Sequence, residues 1–364
     1  MAIPINARIE TSAINAYTAK RIEPIYRKSV LMGMLKSRGR MNMGLSGKTA
    51  CDWFPRFRRR DIVAGDGNPV SISFPSTNTR RPCSLDWINY NLGESLTKME
   101  RLTTGGDPKN VLFKIVDDVI DQLGGDFEES FRLKLFEDGN ATGSKEISGL
   151  ETIFSVNGVV SGSMAGDPND NYAGQSTALG VTGDWTPDSG DGWPTGTGDT
   201  EYNWWSPLVV DYQNSGWEAT TKTWVNTWQE AVGYAITYLS LLQTSPPDVL
   251  LLNGELLRLA KRSLQGIQRF EITQSSELTK LGHKTLQYEG LEIVTEYGIP
   301  SGVGYFLNFD KLELRSLQDV LFGKADDNDI TTSTELLALD FYGQLVIWAP
   351  SYFGKLAPVT ALGT

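Results

Sequence analysis

PPDVLLLNGELLRLAKR, residues 246–262, places a helix stop, a strand and a helix start side by side. Pro246 and Pro247 cannot continue a helix. They therefore close the stripe of Trp224, Trp228, Ala231, Val232, Ala235, Ile236 and Leu239, which recurs at helical spacing. DVLLLN (248–253) is a short apolar run with polar ends, the pattern of a strand buried on both faces. Asn253 is a good N-cap for a short helix, GELLRLAKRSL. Strands follow at Thr285–Tyr288 and Leu291–Thr295 around a Glu289-Gly290 turn, then at Gly304–Phe309, Leu312–Ser316, Glu335–Leu339 and Gln344–Ala349. Helices and strands in separate runs predict an α+β fold.

Upstream, residues 157–217 are rich in Gly, Asp, Asn and Trp and predict a long loop region, which is functional or an insertion. Its five tryptophans, Trp185, Trp193, Trp204, Trp205 and Trp217, imply local packing. Residues 107–138 read as the clearest helix. Asp107 is a fitting N-cap and Pro108 suits the first turn. Ile115, Val119, Leu123, Phe127, Phe131 and Leu135 recur every four residues, and Gly139 stops the run. Gly124-Gly125 predicts a bend or break. The other face is acidic: Asp117, Asp118, Asp121, Glu128 and Glu129.

Residues 51–83 read as a long two-stranded projection with its tip at AGDGNP (64–69). Mirrored about Gly67, Cys51 and Cys83 face each other at its base. The arms carry Arg56, Arg58, Arg59, Arg60, Arg80 and Arg81. An isolated hairpin is marginal in water, so this one needs support, and an acidic neighbour would supply it. Residues 1–50 read as an arm, with scattered apolar anchors and a Met- and Gly-rich stretch of no clean period, which orders itself only by lying on something else.

Charge is divided along the chain. Residues 1–60 hold 13 Lys and Arg against 3 Asp and Glu, while the remainder holds 20 against 41. Between Lys145 and Lys222 there are 11 acids and no base. A basic front on an acidic body predicts attraction between copies of the chain; self-solvation or contact with nucleic acid is the plainer alternative.

The residue inventory narrows the chemistry. His283 is the only histidine and sits among charged neighbours in KLGHKT, as an exposed loop residue. Zinc sites and histidine acid–base catalysis have little to build on. No phosphate loop, nucleophile elbow or outstanding pair of carboxylates occurs. Asp167, Asp170, Asp184, Asp188, Asp191 and Asp199 are oxygen ligands of the kind calcium takes, but they lack a calcium loop's spacing and read as solvated turns. No cofactor, metal or catalytic residue is expected. Cys51 and Cys83 form either a disulfide, worth about 3–4 kcal/mol through loop closure, or two thiols, as a reducing compartment favours. No run of about 18 apolar residues suggests a membrane span, and the start MAIPINARIE lacks a signal peptide's apolar stretch.

The order of arm, basic hairpin, long acidic helix, insertion, mixed α/β block and last sheet resembles the Hong Kong 97 type of tailed-phage major capsid protein, whose shell fold encapsulins share. The stretches that carry the likeness are LKLFEDGN (133–140), GLETIFSVN (149–157), YAGQSTA (172–178), WWSPLVVD (204–211), PPDVLLLNGELLRLAKR (246–262), YEGLEIVTEYGIPSGVGYFLNFDKLEL (288–314) and LALDFYGQLVIWAPSYFGKLAPVTA (337–361). The resemblance divides the chain into an N-terminal arm (1–50), an extended hairpin or E-loop (51–90), a peripheral domain (91–156) with spine helix 107–138, the insertion (157–217), an axial domain (218–284), and the peripheral sheet return with C-terminal segment (285–364). It implies a non-enzymatic subunit that assembles with itself into pentamers and hexamers of an icosahedral shell around double-stranded DNA, made in a host cytoplasm. Portal, scaffolding and decoration proteins would be its partners, and no membrane. The rival readings are an encapsulin shell, a carbohydrate-binding or hydrolytic β-rich protein using the Trp/Asp-rich loops, and a DNA-binding protein, which the net charge of −11 disfavours.

Overall fold

The computed structural model describes residues 29–45, 47–56, 80–97, 122–140, 145–159, 163–178, 205–242, 246–264, 285–319, 323–329 and 334–358. The hairpin tip, Ile115 and Val119, and most of the arm lie outside these residues. The described helices are α1 (Val30–Ser37), α2 (residues 122–134), α3 (Trp224–Leu242) and α4 (Gly254–Leu264). The strands run in chain order: β1 (Met41–Asn42), β2 (Cys51–Trp53), β3 (Cys83–Leu85), β4 (Ile88–Thr97), β5 (Val156–Val159), β6 (Gly166–Pro168), β7 (Asn171–Tyr172), β8 (Gln175–Ser176) and β9 (Leu208–Val210). They continue with β10 (Val249–Leu252), β11 (Leu286–Tyr288), β12 (Leu291–Thr295), β13 (Gly304–Leu307), β14 (Leu312–Ser316), β15 (Gly323–Asp329), β16 (Thr334–Ile347) and β17 (Gly354–Leu356).

The stretch DVLLLN forms β10, in the middle of a six-stranded sheet ordered β11-β12-β10-β13-β17-β9. β10 runs parallel to β12 and antiparallel to β13. Both faces of this sheet are buried, which is why β10 shows no polar alternation. Leu250 and Leu252 face one core with α3 and α4; Val249 and Leu251 face the other. The Glu289-Gly290 turn joins β11 to β12 with both residues at positive φ, 48° and 80°, as a tight right-twisting hairpin requires. Asn253 caps α4, its Oδ1 accepting from the Glu255 N–H at 3.0 Å. Asn253→Ala is expected to cost about 1 kcal/mol, read as a lowered midpoint in denaturant unfolding.

The second core lies between this sheet and a five-stranded one ordered β1-β14-β16-β15, with β4 also on β16. α2 supplies Leu123, Phe127 and Phe131, and Leu135 follows in the succeeding turn, all buried as the four-residue repeat predicts. Phe131 meets Phe341 of β16 edge-on, ring centroids 4.6 Å apart. The helix passes through Gly124-Gly125 unbroken and ends at 134, in a turn, rather than at Gly139. Beyond it, two glycines let backbones cross: a Cβ on Gly149 would lie 2.3 Å from the Glu137 carbonyl oxygen, and one on Gly139 would lie 2.6 Å from that of Ile147.

Several expectations need correction. The arm's Met- and Gly-rich stretch is helical: Ser29 caps α1 by accepting from Met32 N–H, and Val30, Leu31, Met34 and Leu35 are buried. β1 then pairs parallel with β14, so the arm from Ser29 onward is part of the chain's own body. Glu335–Leu339 and Gln344–Ala349 are one strand, β16, because Phe341 and Gly343 are buried and continue the alternation across DFYG. β15, GKADDND, has a composition that disfavours strands, yet it pairs with β16 along its length. In the region read as an insertion, β9 joins the six-stranded sheet and Trp205 and Trp217 are buried. The division expected between 284 and 285 passes through that same sheet, since β10 pairs with β12 and β13. No helix among the described residues is long and apolar enough to cross a membrane.

Candidate inter-subunit surfaces

The base of the basic hairpin is a β2–β3 ladder in which Cys51 faces Leu85, Asp52 faces Ser84 and Trp53 faces Cys83. This register is two residues away from the mirror pairing in which the cysteines oppose each other. Arg56 and Arg80 lie across from one another farther out. Both thiols are free and buried. Burial pushes the Cys83 thiol up to about 12, with Arg81 opposing. It also raises Cys51, where the Arg315 guanidinium opposes. Neither thiol has thiolate character near neutral pH. Folded protein at pH 8 should therefore react with a thiol reagent at under a tenth of the rate seen in denaturant; fast labelling of both cysteines without denaturant would contradict this.

The support that a hairpin needs comes, at its base, from the chain itself. Arg315 donates to the Asp52 carbonyl at 3.2 Å and, through Nε and Nη2, to Glu313 at 3.1 and 2.9 Å. It also lies over the Trp348 ring. Burial opposes the Glu313 charge, but hydrogen bonds from Arg315, Asn42 and Trp348 outweigh it and hold the carboxyl below its ordinary range. Trp53 Nε1 donates to the Trp348 carbonyl, and its ring tilts against Tyr172. Arg81 donates to Gln175 at 3.2 Å. The Glu313–Arg315 pair was missed in the sequence. Its only trace there is the alternation LELRS, which puts Glu313 and Arg315 on one face of β14 and the leucines on the other.

Of the other predicted surface residues, Arg58, Arg59, Arg60, Asp117, Asp118 and Asp121 lie outside the described residues. On α2, Glu129 is exposed, whereas Glu128 is engaged within the chain, 2.8 Å from the buried Arg132. The basic end of the arm is also paired internally: Arg38 with Asp248 at 3.0 Å and Arg40 with Asp310 at 2.9 Å. Those two arginines serve the chain's own body, not an outward grip, because each has an acid at hand where α1 and its following turn dock.

Among the aspartates weighed as ion ligands, Asp170 is pushed up to about 6 by burial, while hydrogen bonds from Asn140 and from the Asn171 and Ser155 N–H groups oppose the rise and nearby Asp138 adds to it. Asp167 is raised by burial. No group of three or more metal-binding side chains occurs among the described residues. Asp184, Asp188, Asp191 and Asp199, like His283, lie outside them. Trp217 is buried and donates to the Asp211 carbonyl at 2.7 Å, so neither it nor the buried Trp205 offers a face for stacking sugars.

No protein-family model and no curated protein matches the chain. Solved structures do. The capsid asymmetric unit of cyanophage A-1(L) aligns over 93% of this chain and 94% of its own, with a TM-score of 0.60 and 17% identity. The capsid of a native GTA particle aligns over 94% and 97%, with a TM-score of 0.51 and 11% identity. The agreement runs almost end to end in both directions, so the chain has the fold of these capsid shell proteins.

Proposed function

We propose that the chain is a structural, non-enzymatic subunit: the major capsid protein of a tailed bacteriophage, of the Hong Kong 97 type. One observation carries this reading, the near end-to-end likeness to the cyanophage capsid subunit. In this reading residues 51–90 are the E-loop, the helix that ends at residue 134 is the spine helix, and copies associate into pentamers and hexamers of an icosahedral virion shell around double-stranded DNA. Assembly takes place in the host cytoplasm with portal and scaffolding proteins.

The proposed contact between copies is electrostatic. Arg58, Arg59 and Arg60, with Arg56 and Arg80 at the hairpin's stem, meet the acids Asp117, Asp118, Asp121 and Glu129 of a neighbour. Contacts of this kind act within about 8–10 Å at physiological salt, so the groups must come close together. Closed symmetry repeats each modest contact many times. Electron microscopy of the purified, expressed chain tests the reading. Closed shells of uniform size are expected; a monomer at every protein and salt concentration overturns it. Nucleic acid inside particles recovered from the source, rather than an enzyme cargo, separates the phage shell from an encapsulin.

A further inference from the structure

Asn-Gly occurs twice in the sequence, at Asn157-Gly158 and at Asn253-Gly254. A glycine after an asparagine leaves its own backbone nitrogen unshielded, because no Cβ stands beside it. That nitrogen can reach the carbonyl carbon of the asparagine side chain, Cγ. The fold treats the two pairs differently.

Asn157 and Gly158 lie in β5 where its ladder to β6 is irregular. Val156 pairs with Pro168 and Val159 with Gly166, so the two residues together oppose Asp167 alone. In such a bulge the extra residue leaves the ladder and the strand bends. Gly158 has φ +143°, a conformation that favours glycine, and nothing lies within 4 Å of the place a Cβ would take. Asn157 is exposed. Its Oδ1 accepts from Asn169 Nδ2 at 2.7 Å, a bond between two exposed side chains that water can replace. Asn253, by contrast, is half-buried and held at three points. Its Oδ1 accepts from the Glu255 N–H at 3.0 Å, its Nδ2 donates to the Ile299 carbonyl at 3.0 Å, and its backbone N–H donates to the Val303 carbonyl at 3.1 Å. Gly254 is the first residue of α4. Attack on Asn253 would undo the cap and the start of that helix.

We propose that Asn157 is a site of spontaneous deamidation, created by the bulge in β5. The Gly158 nitrogen attacks Asn157 Cγ. A new N–C bond closes a cyclic imide, the Cγ–Nδ2 bond breaks, and ammonia leaves with the Gly158 proton. Water then opens the ring at either carbonyl, giving aspartate or isoaspartate. Nothing is oxidised or reduced, and water is the only co-reactant. The product carries a new negative charge across the ladder from Asp167, and isoaspartate adds a methylene to the backbone at the bulge.

The purified full chain, incubated at pH 8, tests the site by peptide mass spectrometry, with methylation by an isoaspartate-specific methyltransferase as a second readout. In the folded chain Asn157 should convert at least about tenfold faster than Asn253, because reaction follows access to an attacking geometry. In denaturant the two should convert at similar rates, since each is then an ordinary Asn-Gly pair. Asn157→Gln should remove the methyl label from this segment, because the same attack would have to close a larger ring. Asn157 staying intact in the folded chain while the denatured chain converts overturns the proposal. Equal conversion of Asn157 and Asn253 in the folded chain overturns it too.

Discussion

Gly149→Ala is expected to destabilise the chain by about 3 kcal/mol or more and to remove most of it from the soluble fraction. The reason is space and not backbone conformation: Gly149 has φ −69° and ψ −178°, which any residue adopts. An added methyl would lie 2.3 Å from the Glu137 carbonyl oxygen and 2.8 Å from those of Leu135 and Lys134. All three are backbone atoms at the end of α2, and they cannot swing aside as a side chain can. The same crossing is tied by the Leu150 N–H, which donates to the Leu135 carbonyl at 2.8 Å. Relief of the clash therefore means prising α2 from the segment at 147–150 and opening the core around Leu135 and Ile147. Gly254→Ala is the control. Nothing lies within 4 Å of its added methyl, at the start of α4, and alanine suits a helix better. Denaturant unfolding of the two variants checks the claim; equal midpoints would sink it.

Reversing Arg58, Arg59 and Arg60 to Glu is the second large effect. Soluble subunits are expected, with no shells in negative stain. Each exposed pair contributes about 1 kcal/mol or less, so a single loss would be tolerable. Three reversals together turn attraction into repulsion at every copy of the contact. Assembly of wild type should correspondingly weaken as salt rises. Normal shells from the triple variant would show that the hairpin's charge plays no part in joining subunits.

How far residues announce their places depends on how local the determining physics is. β10 and α4 were legible because an apolar run and an Asn cap act within a few residues. The buried stripe of α2 was legible for the same reason. β15 was not: GKADDND has no strand propensity, and its conformation comes from pairing with β16. Nor was the join across DFYG, where only the sheet reveals that Phe341 and Gly343 point inward. For the surface, the sequence marked Glu128 and Glu129 as acids on one side of α2, and Glu129 is exposed there. The internal engagement of the arm's arginines could not be read, since Arg38 meets Asp248 and Arg40 meets Asp310 only after the chain folds back over hundreds of residues. The same distance hid Glu296, whose hydrogen-bond partners Ser29 and Leu31 lie at the other end of the sequence.

β17, residues 354–356, runs between β13 and β9 and is hydrogen-bonded to both. During synthesis, those two strands wait for their common partner until it has left the ribosome. A nascent chain stalled before residue 354 leaves the edge strand β9 unjoined to the four strands from β11 to β13. Any break in the chain before residue 354 would therefore leave β9 without its link to β13 and the rest of that sheet.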